Sequence, residues 1–292
     1  MSAEPIIQIL VFGLFVGGLY GMAAVGLSLV FGVMNILNTA HGELLMLGGY
    51  ASFWLFTLWG IDPFVSLLIC GPLLFGLGLL LNAGLFRHVS RLDGESKIKN
   101  SLLISFGLSL ILQNLAIQFW SADERAITTA YSGLGANLLG IAFPFTRLAG
   151  LLAALFAILA LHLFLQRTYV GKAIRATALD WEAAAMAGVD VQRIYAITFA
   201  LGTALAGIAG TLVSLGYSIA PSIGLAWTLK ALIVVVLAGM GGILGALGAG
   251  LLLGLAEAIS TFAVGPAYRE VVGLALFILV LLLRPQGLFK RR

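Results

Sequence analysis

Two charged residues sit inside otherwise apolar stretches of this chain, and an ion in such surroundings is costly enough to suggest a function. Glu257 lies well inside the run 243–262, and Lys230 lies near the start of the run that begins at Thr228, close to the outer surface. Their opposite charges allow Glu257 to pair with Lys230. A second set of polar groups is periodic: Ser101, Ser105, Ser109 and Gln113 recur every four residues, followed by Asn114 and Gln118. That spacing places them on one slowly drifting helical stripe. The stripe can serve as a hydrogen-bonding lane for a zwitterionic or amide solute, or it can bind neighbouring helices together. The link Asn35-Ile-Leu-Asn38-Thr39-Ala-His41-Gly42-Glu43 is unusually polar. Two roles fit it: an inner gate, or a turn in which Asn38 or Thr39 caps the next helix. His162 reads as an interfacial residue. No group of His, Cys, Asp or Glu has metal-ligand spacing, and no Ser, His and Asp arrangement suggests hydrolysis.

The elements carrying these residues belong in a membrane. The 292 residues are 61% hydrophobic and 10% charged, with net charge +4 and mean hydropathy +1.10. Soluble domains are about 45–50% apolar and about 25% charged. This composition excludes a soluble enzyme, a nucleic-acid-binding domain and a disordered chain. The lone Cys70 lies in an apolar run and reads as packing. No basic residue precedes the first apolar run, so that run reads as a span and not as a cleaved signal. A crossing helix needs about 20 apolar residues, and the candidate runs are 6–31, 39–58, 63–86, 101–120, 145–166, 194–216, 228–262 and 268–283. The predicted fold is an all-α polytopic membrane protein of about eight segments, in a single domain over 1–292.

Orientation follows the basic residues. Arg87, Arg91, Lys97 and Lys99 fill one link, and Arg167, Lys172, Arg175 and Arg193 another. Arg284, Lys290, Arg291 and Arg292 end the chain. All three blocks are expected in the cytoplasm, with the N-terminus outside and the C-terminus inside. The links holding Asp62, Asp123 and Glu124 belong outside. Parity then requires 228–262 to begin and end outside. The economical solution is a half-helix, 228–238, that stops at Gly239-Met240-Gly241-Gly242, and a longer helix, 243–262, that leads back out. Broken helices of this kind often mark a transporter's substrate path; one long tilted helix is the other solution. Small residues four apart (Gly13, Gly17, Gly21; Gly202, Ala206, Gly210, Ser214; Gly250, Gly254) supply close helix packing.

The cytoplasmic link 167–193 is long and helical in composition. Asp180 suits an N-cap, Glu182 the first turn, and Gly188 a C-terminal stop. Trp181, Ala185 and Met186 fall near one face. Such an apolar patch suits either a docking partner or the lipid headgroups.

Glu182-Ala183-Ala184, three residues, then Gly188 resembles the EAA motif of ABC importer permeases. Further similarity extends along nearly the whole chain: Gly26–Asn35, Ala40-His41-Gly42-Glu43, Met46–Tyr50, Gly171–Ala176, Phe199–Gly207, Leu229-Lys230-Ala231 and Arg284–Phe289. Together these resemble branched-chain amino acid ABC permeases of the H type. Leu237-Ala238-Gly239-Met240-Gly241 departs mildly from the expected Leu-Gly-Gly-Xaa-Gly. The resemblance implies a bacterial inner-membrane permease subunit, not an enzyme, that imports leucine, isoleucine, valine or related hydrophobic amino acids. It implies a second, M-type permease, two cytoplasmic ABC ATPases holding ATP and Mg, and a periplasmic binding protein. The chain itself is expected to bind no cofactor: it lacks a phosphate loop, since Gly171-Lys172 has no upstream glycine at the required spacing. It is expected to contact lipid and no nucleic acid. Asp180, Trp181, Glu182, Ala183, Ala184, Met186 and Gly188 would form the ATPase-coupling knob. Asn35, Asn38, His41, Glu43, Ser105, Ser109, Gln113, Gly239, Gly241, Gly242 and Glu257 are the candidates for the path and its gate. Import of urea or short amides by the same architecture, and a passive small-solute channel, are the alternative functions.

Overall fold

Apolar runs without backbone partners from outside must close their own hydrogen bonds in lipid, which favours helices. The computed structural model describes residues 4–90, 92, 94–138, 140–239 and 242–289. Arg91, Met240, Gly241, Lys290, Arg291 and Arg292, named above, lie outside the described residues. The helices are α1 Glu4–Met34, α2 His41–Trp59, α3 Pro63–Val89, α4 Gly94–Trp120, α5 Phe145–Arg167, α6 Tyr169–Leu179, α7 Trp181–Met186, α8 Val191–Ser214, α9 Ile223–Ala238, α10 Ile243–Ala263 and α11 Arg269–Leu283. A short antiparallel hairpin, β1 Gly135–Leu138 and β2 Ile141–Pro144, precedes α5. Among the described residues, seven helices are long and apolar enough to cross a membrane. The 19-residue α2 and the 16-residue α9 complete the bundle.

The glycine stripes find one another. Gly13, Gly17 and Gly21 of α1 lie against Gly254, Gly250 and Leu247 of α10, so these helices run antiparallel with their backbones nearly touching. A Cβ on Gly17 would stand 2.7 Å from Leu251 Cα. A second seam sets Gly207 and Gly210 of α8 against Gly48 and Leu45 of α2. Apolar attraction gives little preference between helices in lipid, so such close approach selects the pairs.

Basic segments gather at one end. There Ser90 Oγ donates to Gln192 Oε1 at 3.2 Å and Lys97 lies over the Tyr195 ring. A cavity of about 360 Å³ beside them joins Val33, Gln166, Arg175 and Gly242. The opposite end holds the acidic links: Tyr131 Oη donates to Asp62 Oδ2 at 2.6 Å, and Arg125 bridges Ile219 through backbone. Burial and the Asp62 carboxylate push the Tyr131 hydroxyl up to about 12.

The run 228–262 is two helices, α9 ending at Ala238 and α10 starting at Ile243. The break does not lie halfway through the bundle, as a half-helix stopping there requires. It lies at the basic end, where the C-terminal segment covers it: Leu288 N donates to Leu237 O at 2.8 Å and Phe289 N to Ala238 O at 3.3 Å. Sixteen residues rise only about 24 Å, and α9 begins inside the bundle, where Thr228 meets Thr39 and Gly42. The incomplete end of this element is therefore its beginning.

Candidate functional site

Helix α1 ends at Met34, and Asn35 takes the left-handed conformation, φ 52°, that stops it. The chain then turns back into the bundle. His41 Nε2 bonds to the Ala23 carbonyl at 2.8 Å, eleven residues before the end of α1 and so about 16 Å inward. The expected position of 35–43 near the cytoplasmic surface is thus corrected: Thr39–Glu43 lies deep. The cap is also different. Ala40 holds the N-cap position without a side-chain bond, while Asn38 Oδ1 accepts from Ala40 N at 3.1 Å and Thr39 Oγ1 pairs with Ser105 Oγ at 2.9 Å.

The serine stripe of α4 is spent on this returning segment. Leu37 N donates to Ser101 Oγ at 3.2 Å, Thr39 N to Ser105 Oγ at 3.0 Å, and Ser109 Oγ donates to Glu43 Oε1 at 3.2 Å. Of the two roles open to the stripe, these bonds match the one that ties elements together. Gln113 is half-buried one turn further on, and Asn114 and Gln118 are exposed. On the other side, Gly42 N donates to Thr228 Oγ1 at 2.8 Å, and that hydroxyl donates to Thr39 O at 3.1 Å. Glu43 is 1% exposed, its Oε2 has no partner, and its carboxylate lies against Gly224 in the first turn of α9. The positive end of a helix suits that placement.

Lys230 and Glu257 do meet, at 2.5 Å. The Lys230 side chain is half-buried, 13% exposed, and stands seven residues into α9, beyond the Thr228 contacts inside the bundle, and not close to the outer surface as its place in the run suggests. The pair has two further members. Arg269 Nε donates to Glu257 Oε2 at 2.7 Å, Tyr20 Oη donates to the same oxygen at 2.8 Å, and Arg269 Nη2 donates to Tyr20 Oη at 2.8 Å. Four helices, α1, α9, α10 and α11, are joined through one carboxylate. Sequence reasoning missed Arg269 and Tyr20. One signal was present: Arg125, Arg147, Lys230 and Arg269 are the only basic residues of the sequence outside the three basic blocks, and two of them bind Glu257.

Far from both clusters, Asp180 caps α7, its Oδ1 accepting from Glu182 N and Ala183 N, both at 3.0 Å. Gly188 closes the turn with φ 85°. Ala184 is buried, whereas Glu182, Ala183 and Met186 are exposed and Trp181 is about half exposed. Leu179 precedes them at 90% exposure. At the other glycine-rich site, Gly239 has φ 84° and is buried. Gly242 has φ −93°, and a Cβ there would meet nothing nearer than 3.8 Å. The position that demands glycine is Gly239, not Gly242. Among the described residues no group of His, Cys, Asp and Glu is arranged to hold a metal ion.

Residues 9–281 match the family described as "Branched-chain amino acid transport system / permease component". BraD of Pseudomonas aeruginosa, named a high-affinity branched-chain amino acid transport system permease protein, is 33% identical over 98% of this chain and 96% of its own. LivH of Escherichia coli K12, named likewise, is 32% identical over 96% of this chain and 94% of its own. A probable LivH of Methanocaldococcus jannaschii is 26% identical over 91% of this chain and 87% of its own. Among solved structures, PsaBC from Streptococcus pneumoniae in complex with Fab aligns at TM-score 0.47 and 13% identity over 95% of this chain and 92% of that one, too distant to bear on function. Neither urea and amide import nor a passive channel gains support from these similarities. The chain belongs to the family of branched-chain amino acid transport system permease components and is a multi-pass inner-membrane transport subunit, not an enzyme.

Proposed function

We propose that this chain forms one half of the path by which an ATP-driven importer carries leucine, isoleucine or valine across the inner membrane, with a second permease of the M type forming the other half. The names of its relatives support that cargo. A binding protein outside delivers the amino acid, and two cytoplasmic ATPases hold the ATP and Mg that drive the cycle. Residues 1–292 act as one permease domain, N-terminus outside and C-terminus in the cytoplasm, in keeping with the collection of basic links at one end.

The observation that carries this reading is the exposed, doubly terminated helix Trp181–Met186. Asp180 and Gly188 fix its ends, and Leu179, Trp181 and Met186 offer an apolar surface that water does not favour. Seated in an ATPase, it transmits closure of the nucleotide sites into the 167–193 link and so into α5 and α8. The membrane helices then tilt as stiff bodies about the interior contacts of Asn35, Asn38, His41, Glu43, Ser105 and Ser109, with Gln113, Glu257 and the turn at Gly239–Gly242 along the route.

In proteoliposomes holding the full complex, Gly188→Trp and Glu182→Lys are expected to lower leucine uptake at least tenfold. ATPase activity is expected to continue without transport, and the subunit to remain in the membrane. Normal uptake by both variants overturns the coupling role. Orientation has its own test: with Cys70 replaced by Ala, Met186→Cys should react with an impermeant maleimide only in inside-out vesicles. Labelling in intact cells overturns the topology.

A further inference from the structure

The Glu257 cluster borders a cavity of about 180 Å³ lined by Tyr20, Tyr217, Trp227, Lys230, Arg269 and Glu270. A single water needs only about 10–15 Å³, so the space suits a small organic solute. Its charges are unevenly matched. One carboxylate, Glu257, faces two cations, and the contacts of Arg269 use Nε and Nη2, leaving Nη1 uncommitted. Glu270 forms no hydrogen bond or ion pair among the described residues. A surplus cation and an unpaired carboxylate therefore share one chamber. Its remaining walls are the rings of Tyr217 and Trp227, packed edge to face at 6.4 Å, and Tyr20, which meets Trp227 at 5.6 Å.

Glu270, at the exposed rim, and the free Nη1 of Arg269 are two opposite charges that one ligand can join. A ligand with a carboxylate at one side, an ammonium at the other and an apolar group satisfies every wall at once. The geometry points to a subsite for the zwitterionic head of a free amino acid, with the carboxylate on Arg269 and Lys230, the ammonium on Glu270 and an aliphatic side chain against Trp227. Resting on the transport reading above, it adds where the cargo is held. A lipid headgroup also pairs an anion with an ammonium. Tyr20, however, lies sixteen residues from one end of the 31-residue α1 and fourteen from the other, near the midpoint of the helix.

The test uses the assembled permease–ATPase complex in phosphatidylcholine nanodiscs without binding protein, so that nothing else selects the ligand. Radiolabelled leucine should bind at saturation, with 4-methylpentanoate and leucinamide, each lacking one charge, competing at least tenfold more weakly. Glu270→Gln, a change at an exposed residue with no described partner, should weaken leucine at least tenfold while leaving 4-methylpentanoate unchanged. Leucine should also change the tryptophan fluorescence of the complex, and Trp227→Phe should keep binding but abolish that change. Unaltered leucine binding in Glu270→Gln overturns the subsite, as does occupancy that depends on added phosphatidylethanolamine and not on leucine. Loss of leucine uptake by the unmodified complex with its binding protein would instead overturn the transport reading. Uptake that persists while Glu270→Gln leaves both binding and KM untouched removes the subsite alone.

Discussion

Glu257 and Glu43 are both 1% exposed, yet they are buried by opposite means. Glu257 is held by formal charges: Lys230, Arg269 and the Tyr20 hydroxyl saturate both of its oxygens. Glu43 has one neutral donor, Ser109, one oxygen without a partner, and the first turn of α9 beside it. The first arrangement is a tie between four helices that does not tolerate the loss of a member. The second is a joint between two elements that both begin inside the bundle, held by hydrogen bonds between neutral groups and not by ion pairs. A transporter needs both, something that keeps the bundle intact and something that gives way.

The largest expected effect is at the tie. Glu257→Ala leaves two clustered cations without the carboxylate that joins them, and breaking a buried pair from one side costs about 3–5 kcal/mol; the part exposure of Arg269, 36%, places the result at the lower end. Thermal unfolding followed by size-exclusion chromatography in detergent checks this, and a wild-type profile would remove the contrast with Glu43. Next is Gly224→Ala. Its methyl would enter the space of the Glu43 carboxylate, and overpacking of that kind costs about 1–3 kcal/mol. Restoration of the wild-type unfolding temperature by a second change, Glu43→Ala, would sharpen the assignment; an additive loss would break it. Gly239→Ala should cost about 1–3 kcal/mol, the penalty of a positive-φ, extended-ψ backbone that residues with a Cβ rarely adopt, while Gly242→Ala should cost less than about 0.5 kcal/mol. The same unfolding measurement separates them. Ser109→Ala removes one neutral hydrogen bond to Glu43 and should cost about 1 kcal/mol; a loss as large as that of Glu257→Ala would erase the contrast between the two carboxylates.

Much of this was legible beforehand. The spans follow from uninterrupted apolar length, the interruption at Gly239–Gly242 from residues that cannot continue a helix well, and the ends of α7 from Asp180 and Gly188, whose side chain and missing side chain act within three residues. Tyr20 and Arg269 were not legible, because each joins Glu257 from a different helix and no local rule links positions 237 residues or 12 residues apart across a turn. The hairpin 135–144 also escaped, since Gly135-Ala-Asn-Leu138 carries little strand propensity and depends on its pairing.

The amino-acid sequence alone determined a membrane solvent, the number of apolar segments and the terminated helix in the 167–193 link, because those depend on local composition and on backbone hydrogen bonds that each segment closes for itself. Only the tertiary structure decided which glycine stripe faces which, that Thr39–Glu43 returns to the level of Ala23, and that the Gly239 turn lies at the basic end under the C-terminal segment. Those outcomes rest on close contact between distant parts of the chain, and lipid provides no apolar driving force strong enough to choose among helix pairs before the surfaces themselves fit.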